Sequence, residues 1–369
     1  MPLRAVIAPD SFKGSLDAAD VALAIAEGWR TVRPDDELTL LPQADGGEGT
    51  LAAIAAAVPG AVLRSAGEVT GPDGRPTPGY WLALPDGAAV VELAQASGLP
   101  LMSAPDPLGA TTRGLGEVIA ATLDARATSL VIALGGSAST DGGAGALAAL
   151  GMRLFDADDR PLGDGGGELA RLARIDRSAL RVPPTGGVRL LTDVTAPLLG
   201  PQGAAAVFGP QKGASADDIR TLETALETYT GLLGEGAAIP GAGAAGGAGY
   251  GFVAAWGASI EAGSQAIATL TGFAAEAASA DVVITGEGRF DATSTTGKVV
   301  GNALALVDTG MARGVVIAGQ LDALPVTPAG REVRGIGLVD LAGSVEAAIG
   351  DPARWLRDAG AEAARAASR

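Results

Sequence analysis

Arg4-Ala5-Val6-Ile7-Ala8-Pro9-Asp10-Ser11-Phe12-Lys13-Gly14 is a short β-branched run that breaks into a polar loop ending in glycine. From Leu16 to Val32 apolar residues recur at helical spacing, with Val21, Ala22, Ile25 and Trp29 on one face and Ser15 placed as the N-cap. The same strand–loop–helix unit returns along the chain. Leu38–Leu41 leads to Ala44-Asp45-Gly46-Gly47-Glu48-Gly49-Thr50 and an alanine-rich helix reaching Val58. Leu130–Leu134 leads into Gly135–Gly143, and Val188–Leu191 into Asp193–Pro197. Asp281–Thr285 leads into Gly286–Asp291, and Val315–Ala318 into Gly319-Gln320. Such alternation predicts an α/β fold in which helices cover a largely parallel sheet. Ligands of such sheets sit outside the carboxyl ends of the strands, where these polar loops collect.

Between Val69 and Leu93 the pattern changes. Gly71-Pro72-Asp73-Gly74 and Pro85-Asp86-Gly87 separate short apolar runs and predict antiparallel hairpins. The chain is therefore expected to hold a middle α/β domain, residues 67–271, inserted into an α/β domain built from residues 1–66 and 272–369. A helix is predicted from Ala216 to Leu233, opened by the capping-box pair Ser215 and Asp218.

Composition prunes the chemistry. A chain of 369 residues, 47% hydrophobic and 18% charged, has ample length for two globular domains. Its net charge of −16 repels duplexes and anionic membranes, so neither nucleic acid nor lipid is an expected partner. There is no cysteine, which removes disulfides and thiolate catalysis. There is no histidine either, so acid–base work falls to Asp, Glu, Lys or Tyr. The first residues contain too short an apolar stretch for a secretory signal, which sets the expectation of a cytoplasmic protein. Gly236–Ile260 carries no charge, but its glycines and Pro240 mark a loop leading into a buried helix rather than a membrane span.

Of the 26 basic residues only three are lysine: Lys13, Lys212 and Lys298. Each adjoins a glycine and lies within three residues of a serine or threonine. A lysine is a compact point charge that fits a narrow, glycine-walled space beside a phosphate. The same loops carry Asp10, Asp45, Glu48, Asp141, Asp193, Glu287 and Asp291. Helix capping accounts for any one of these acids as readily as catalysis does. Together, at one sheet edge, they suit a magnesium–nucleotide site, which needs one or two carboxylates, plus an acid to accept a hydroxyl proton.

The glycine motifs exclude more than they establish. Gly241-Ala242-Gly243-Ala244-Ala245-Gly246 matches G-x-G-x-x-G, but no convincing strand precedes it. Gly297-Lys298 is followed by Val299 and the earlier glycine position holds Ala292, so this is not a standard P-loop. A nicotinamide-dependent dehydrogenase would lack both its fingerprint and its histidine.

Taken in order, these segments resemble the type-I glycerate kinase family. The resemblance rests on Ala8–Lys13 (APDSFK), Ala44–Thr50 (ADGGEGT), Gly135–Gly145, Asp193–Gly200, Phe208–Ser215 (FGPQKGAS), Pro240–Gly247 (PGAGAAGG) and Ile284–Lys298. It implies ATP-dependent, Mg²⁺-assisted phosphorylation of D-glycerate, commonly to 2-phosphoglycerate. It also implies a Rossmann- or flavodoxin-like domain interrupted by a second α/β domain. Thr140 and Ala196 stand where the family often has asparagine, Val300 replaces a frequent proline, and the stretch Ala292–Thr296 is atypical.

On this reading ATP and glycerate are the small-molecule partners, and the scattered lysines and acids are expected to line one cavity. Lys13 and Lys212 neutralise the transferring phosphate or the substrate carboxylate, with Asp193 as proton acceptor and Asp45 in reserve. Glu287 and Asp291 are the expected magnesium ligands, with Glu48 the alternative. Asp10, Ser11, Gly46, Gly47, Ser137, Ser139, Arg289, Ser294 and Lys298 complete the expected binding set.

Overall fold

The computed structural model describes every residue except Thr296, Gly297 and Arg369. In chain order the strands are β1 (Arg4–Ile7), β2 (Glu37–Leu40), β3 (Val62–Thr70), β4 (Pro76–Ala83), β5 (Ala89–Glu92) and β6 (Leu130–Ala133). They continue with β7 (Arg153–Phe155), β8 (Arg174–Asp176), β9 (Val188–Leu191), β10 (Ser259–Glu261), β11 (Val282–Phe290), β12 (Arg313–Leu321) and β13 (Arg334–Gly337). The chain divides into two compact units. The first gathers residues 1–45, 52–59 and 264–369, and the second residues 46–51 and 60–263.

The first unit is a five-stranded sheet in the order β13-β12-β11-β1-β2, with every neighbouring pair parallel. Counted within the unit, this is the flavodoxin-like order, whose switch point lies between β1 and β11. Strand alternation builds two cores from one set of strands. Ala5, Ile7, Val282, Ile284, Val315 and Ile317 join a cluster with Ile25, Trp29 and Leu356. Val6, Ala8 and Val283 face the opposite way and pack with Phe273, Ala303 and Val307.

The first helix, Ala18–Val32, starts two residues later than its periodicity suggests. Phe12 and Leu16 exchange backbone hydrogen bonds, which commits residues up to Leu16 to a tight turn. Asp17 rather than Ser15 therefore caps the helix, accepting from the Asp20 N–H at 2.8 Å. This helix crosses the last helix, Pro352–Ala367, at close range. A Cβ on Gly28 would lie 1.8 Å from the Arg357 carbonyl oxygen, and one on Gly360 2.2 Å from that of Ile25.

In the second unit six strands lie in the order β10-β9-β6-β5-β4-β3. The pairs β3–β4 and β4–β5 are antiparallel, as the two turn motifs suggest, and the rest are parallel. Leu130, Ile132, Val188 and Leu190 pack against Leu115, Ile119, Leu226 and Tyr229. The helix Ala216–Leu233 opens with both halves of the capping box in place. The uncharged stretch becomes a glycine loop and the helical segment Ala244–Trp256, which is non-helical at Ala245, Gly246 and Gly247, with Tyr250 and Phe252 fully buried. Among the described residues no helix is long and apolar enough to cross a membrane.

The crossing of the first and last helices sets a stability test. Gly28→Ala should destabilise the protein by about 1–3 kcal/mol, because the atoms the methyl would meet are all backbone atoms of Arg357 and the helices must part. A urea midpoint that falls at unchanged slope would bear this out, and an unshifted midpoint would show that the crossing can yield.

Candidate active site

In the first unit the loop that follows β1 and the C-terminal ends of β11 and β12 open onto a cavity of about 440 Å³. Asp10, Ser11, Lys13, Asp45, Glu287, Arg289 and Lys298, all predicted from the sequence, line it. The switch point explains the gathering, since β1 and β11 are neighbours although they lie far apart in the chain.

Asp10 follows β1 and accepts from the Ser11 N–H at 2.7 Å. Burial, reinforced by the negative charges of Asp45 and Glu287, pushes its carboxyl up to about 7, against the pull of Lys13. Lys13 Nζ lies 3.7 Å from Asp45 Oδ2. Glu287 is raised by burial and lowered by a hydrogen bond from Ser294 and by the charge of Lys298. Its Oε1 is buried and accepts no hydrogen bond among the described residues.

The other predicted residues of this unit are held differently. Arg289 donates from Nε to Asp322 Oδ2 at 2.5 Å, a partner the motifs did not mark. Asp291 Oδ1 accepts from the backbone and hydroxyl of Thr293, both at 2.7 Å, and these bonds hold its carboxyl below the usual range. Ser294 is buried and accepts from the Asp291 N–H at 3.0 Å. Lys298 is the N-cap residue of the helix Val299–Thr309. Thr296 and Gly297, part of its motif and of the atypical loop, lie outside the described residues.

The second unit holds Gly46, Gly47, Glu48, Ser137, Ser139, Asp193 and Lys212. A pocket of this unit, about 310 Å³, is lined by Glu48, Ser137 and Lys212, together with Thr192, Val194 and Gly246. Lys212 is 2% exposed, which is exceptional for a lysine, and donates from Nζ to Ser137 Oγ at 2.9 Å and the Ser139 carbonyl at 2.5 Å. Burial lowers it to about 8, and the negative charge of Asp141 resists that fall. Ser139 Oγ and Thr140 Oγ1 beside it are buried with no hydrogen-bond partner among the described residues. Asp193 is half-buried just past the end of β9, between two residues that line the pocket.

Two acids of this unit prove to be scaffolding. Asp141 is fully buried and accepts from the Thr112 backbone and hydroxyl and from the Gly143 and Gly145 N–H groups, at 2.8–3.2 Å. Glu92 ends β5 and accepts from the Gly49 and Leu51 N–H groups, at 3.1 and 3.0 Å. It thereby fixes the loop that carries Glu48, and burial raises its carboxyl. Sequence reasoning missed Glu92 because it lies within an apolar run, where a charged residue has no local signature. The glycine motif at 241–247 is a left-handed turn rather than a dinucleotide fingerprint. Ala245, Gly246 and Gly247 all have positive φ, and a Cβ on Gly246 would lie 2.0 Å from the Ser139 carbonyl oxygen.

Comparison with known proteins gives a consistent picture. The profile described as "Glycerate kinase family" matches residues 5–368. Glycerate 2-kinase of Escherichia coli K12 is 44% identical over 307 residues, covering 80% of each chain. Glycerate kinase of Bacillus subtilis 168 is 42% identical over 306 residues, covering 80% of this chain and 79% of the relative. A crystal structure from Salmonella typhimurium LT2, of a protein provisionally named glycerate kinase 2, is 35% identical and superposes with a TM-score of 0.83. It covers 100% of this chain and 99% of its own.

The buried lysine gives a pH signature. Because Lys212 loses its proton near pH 8, sulfate, which stays dianionic throughout, should bind progressively more weakly from pH 7 to 9.5. Calorimetric titration of wild type and of Lys212→Met reads this directly. The variant should lose both the affinity and its pH dependence, and a wild-type affinity flat across the range would separate Lys212 from anion binding.

Proposed function

Because the chain belongs to the glycerate kinase family, we propose that it moves the γ-phosphoryl group of ATP onto the C2 hydroxyl of D-glycerate, giving 2-phosphoglycerate and ADP. The observation that carries this reading is the pair of sites that phosphoryl transfer requires. One is a cavity lined by three cationic side chains and three carboxylates. The other is a pocket lined by the buried Lys212 and by Ser137, beside which Ser139 Oγ and Thr140 Oγ1 are buried with no hydrogen-bond partner among the described residues.

Lys13, Arg289 and Lys298, with Ser11, are assigned to the triphosphate. Lys212, with Ser137, Ser139 and the amides around Gly46 and Gly47, is assigned to the glycerate carboxylate or the phosphoryl group in transit. Catalysis of this kind is mostly positioning and charge stabilisation. The hydroxyl oxygen attacks the γ-phosphorus, the bond to the β–γ bridging oxygen breaks, and ADP leaves with the electron pair. Asp193 takes the hydroxyl proton, with Asp45 the reserve.

The donors present fit a magnesium ion. Glu287 offers a buried oxygen that accepts no hydrogen bond among the described residues, and Asp10 and Asp45 line the same cavity. Among the described residues no cluster of three or more acids is arranged as a metal site, but magnesium takes one or two carboxylates and completes its shell with phosphates and water. Glu287 is the first choice as ligand. Asp291, whose Oδ1 is committed to Thr293, and Glu48, exposed in the other unit, follow it. Bound there, the ion would supply positive charge to offset that of the phosphates. We place the reaction in the cytoplasm, where ATP is supplied.

Proton-coupled phosphorus NMR after incubation with ATP, Mg²⁺ and D-glycerate tests the reaction and its position together. A new phosphomonoester doublet, split by the single C2 proton, is expected. A triplet would mean transfer to C3, and inorganic phosphate alone would refute a kinase acting on glycerate. Asp193→Asn should lower kcat by about 10²–10⁴-fold with little change in the KM for ATP. Near-normal turnover would move the base to Asp45.

A further inference from the structure

The cavity of the first unit has two chemically different ends. Toward β1 and β11 it is lined by the acids and cations already described. At the β13 edge its lining comes from the segment that follows that strand: Leu338, Val339, Val345, Ala348, Ile349 and Pro352, none of them polar. We propose that this aliphatic wall is the subsite for the nucleotide base, so that ATP lies across the strand ends with its triphosphate over β1 and β11. The assignment rests on the reading of the protein as an ATP-dependent kinase.

Dimensions favour a nucleotide. Three strand spacings separate β1 from β13, about 14 Å across the sheet. A three-carbon acid would fill only one end of such a trough, and it has no apolar surface to offer the other. Charge fixes the direction, since the wall has no group to compensate a phosphate. Val345 and Ile349 share one face of the short helix Val345–Gly350 at i, i+4 spacing, and they are 47% and 61% exposed. On a chain this acidic, large aliphatic side chains left open beside a charged cavity mark a surface that something flat and apolar covers. A purine does so, and its own phosphates reach the cations.

The exposure of Ile349 makes the test clean, because a polar replacement there removes no core contact. Full-length wild type, Ile349→Asn and Ile349→Leu are titrated in Mg²⁺ with ADP, adenosine and inorganic tripolyphosphate. Ile349→Asn should weaken ADP and adenosine at least tenfold and raise the KM for ATP similarly. Tripolyphosphate affinity and the KM for glycerate should stay within twofold, and Ile349→Leu should match wild type. Unchanged ADP affinity, or an equal loss for tripolyphosphate, would overturn the subsite. So would a shift in sedimentation with no change in nucleotide affinity, which would make the wall a contact between copies of the chain. If wild type binds ADP through the wall yet never phosphorylates glycerate, the subsite stands and the functional reading fails.

Discussion

A parallel strand reaches its neighbour only through a crossover, and that constraint orders both sites. Every β-strand of the first unit ends at the same rim, so loops separated by hundreds of residues are delivered to one edge. The order β13-β12-β11-β1-β2 then sets Asp10 beside Glu287. The rim stays open because glycines line it. A Cβ on Gly286 would lie 2.0 Å from the Ile317 carbonyl oxygen, and one on Gly319 2.3 Å from that of Gly288. At these places β11 and β12 approach more closely than any side chain permits, and the cavity forms above them.

Each unit also carries charges its fold alone does not need. Burying an ion costs several kcal/mol unless partners compensate it. In the second unit Asp141 meets this cost with four donors, and its charge steadies Lys212. Nearby costs remain: two buried hydroxyls without partners among the described residues, and Ala245 in a left-handed conformation that a residue with a Cβ rarely adopts. In the first unit the negative charges of Asp45 and Glu287 oppose the ionisation of Asp10. Local disfavour of this kind, repeated in both units, is what a surrounding fold tolerates where ligands supply the missing partners.

The sequence was most legible where backbone geometry dictates residue type. Strand runs ending in Gly/Ser/Asp loops announced the parallel sheets, and two Gly-containing turns announced the antiparallel strands β3–β5. The rarity of lysine pointed to Lys13, Lys212 and Lys298, and the structure finds Lys212 buried and the other two lining one cavity. What the sequence hid depends on tertiary contact. Glu92 reads as an interruption in a strand until its two N–H donors are seen. Asp322 gives no sign that it engages Arg289. The aliphatic wall after β13 uses residues that any helix would bury, and only the exposure of Val345 and Ile349 distinguishes it. Ser15 failed as a cap for the same reason: the bridge between Phe12 and Leu16 that displaced it is not a matter of local propensity.

The missing histidine gives the electrostatics a further meaning. A chain without histidine or cysteine has no side chain whose ordinary titration falls near neutrality. Here burial creates such groups from residues at opposite ends of the scale. It lifts Asp10 to about 7 and lowers Lys212 to about 8, so an acid and a base that would ordinarily sit more than six units apart nearly meet. Burial is the largest cause of both movements, since removing water penalises whichever form is charged. Ligand charge acts on each in the opposite sense. A cation beside Asp10 favours its ionised form, and an anion beside Lys212 favours its protonated one. The same low-dielectric surroundings that make these groups costly when empty therefore make them responsive when occupied.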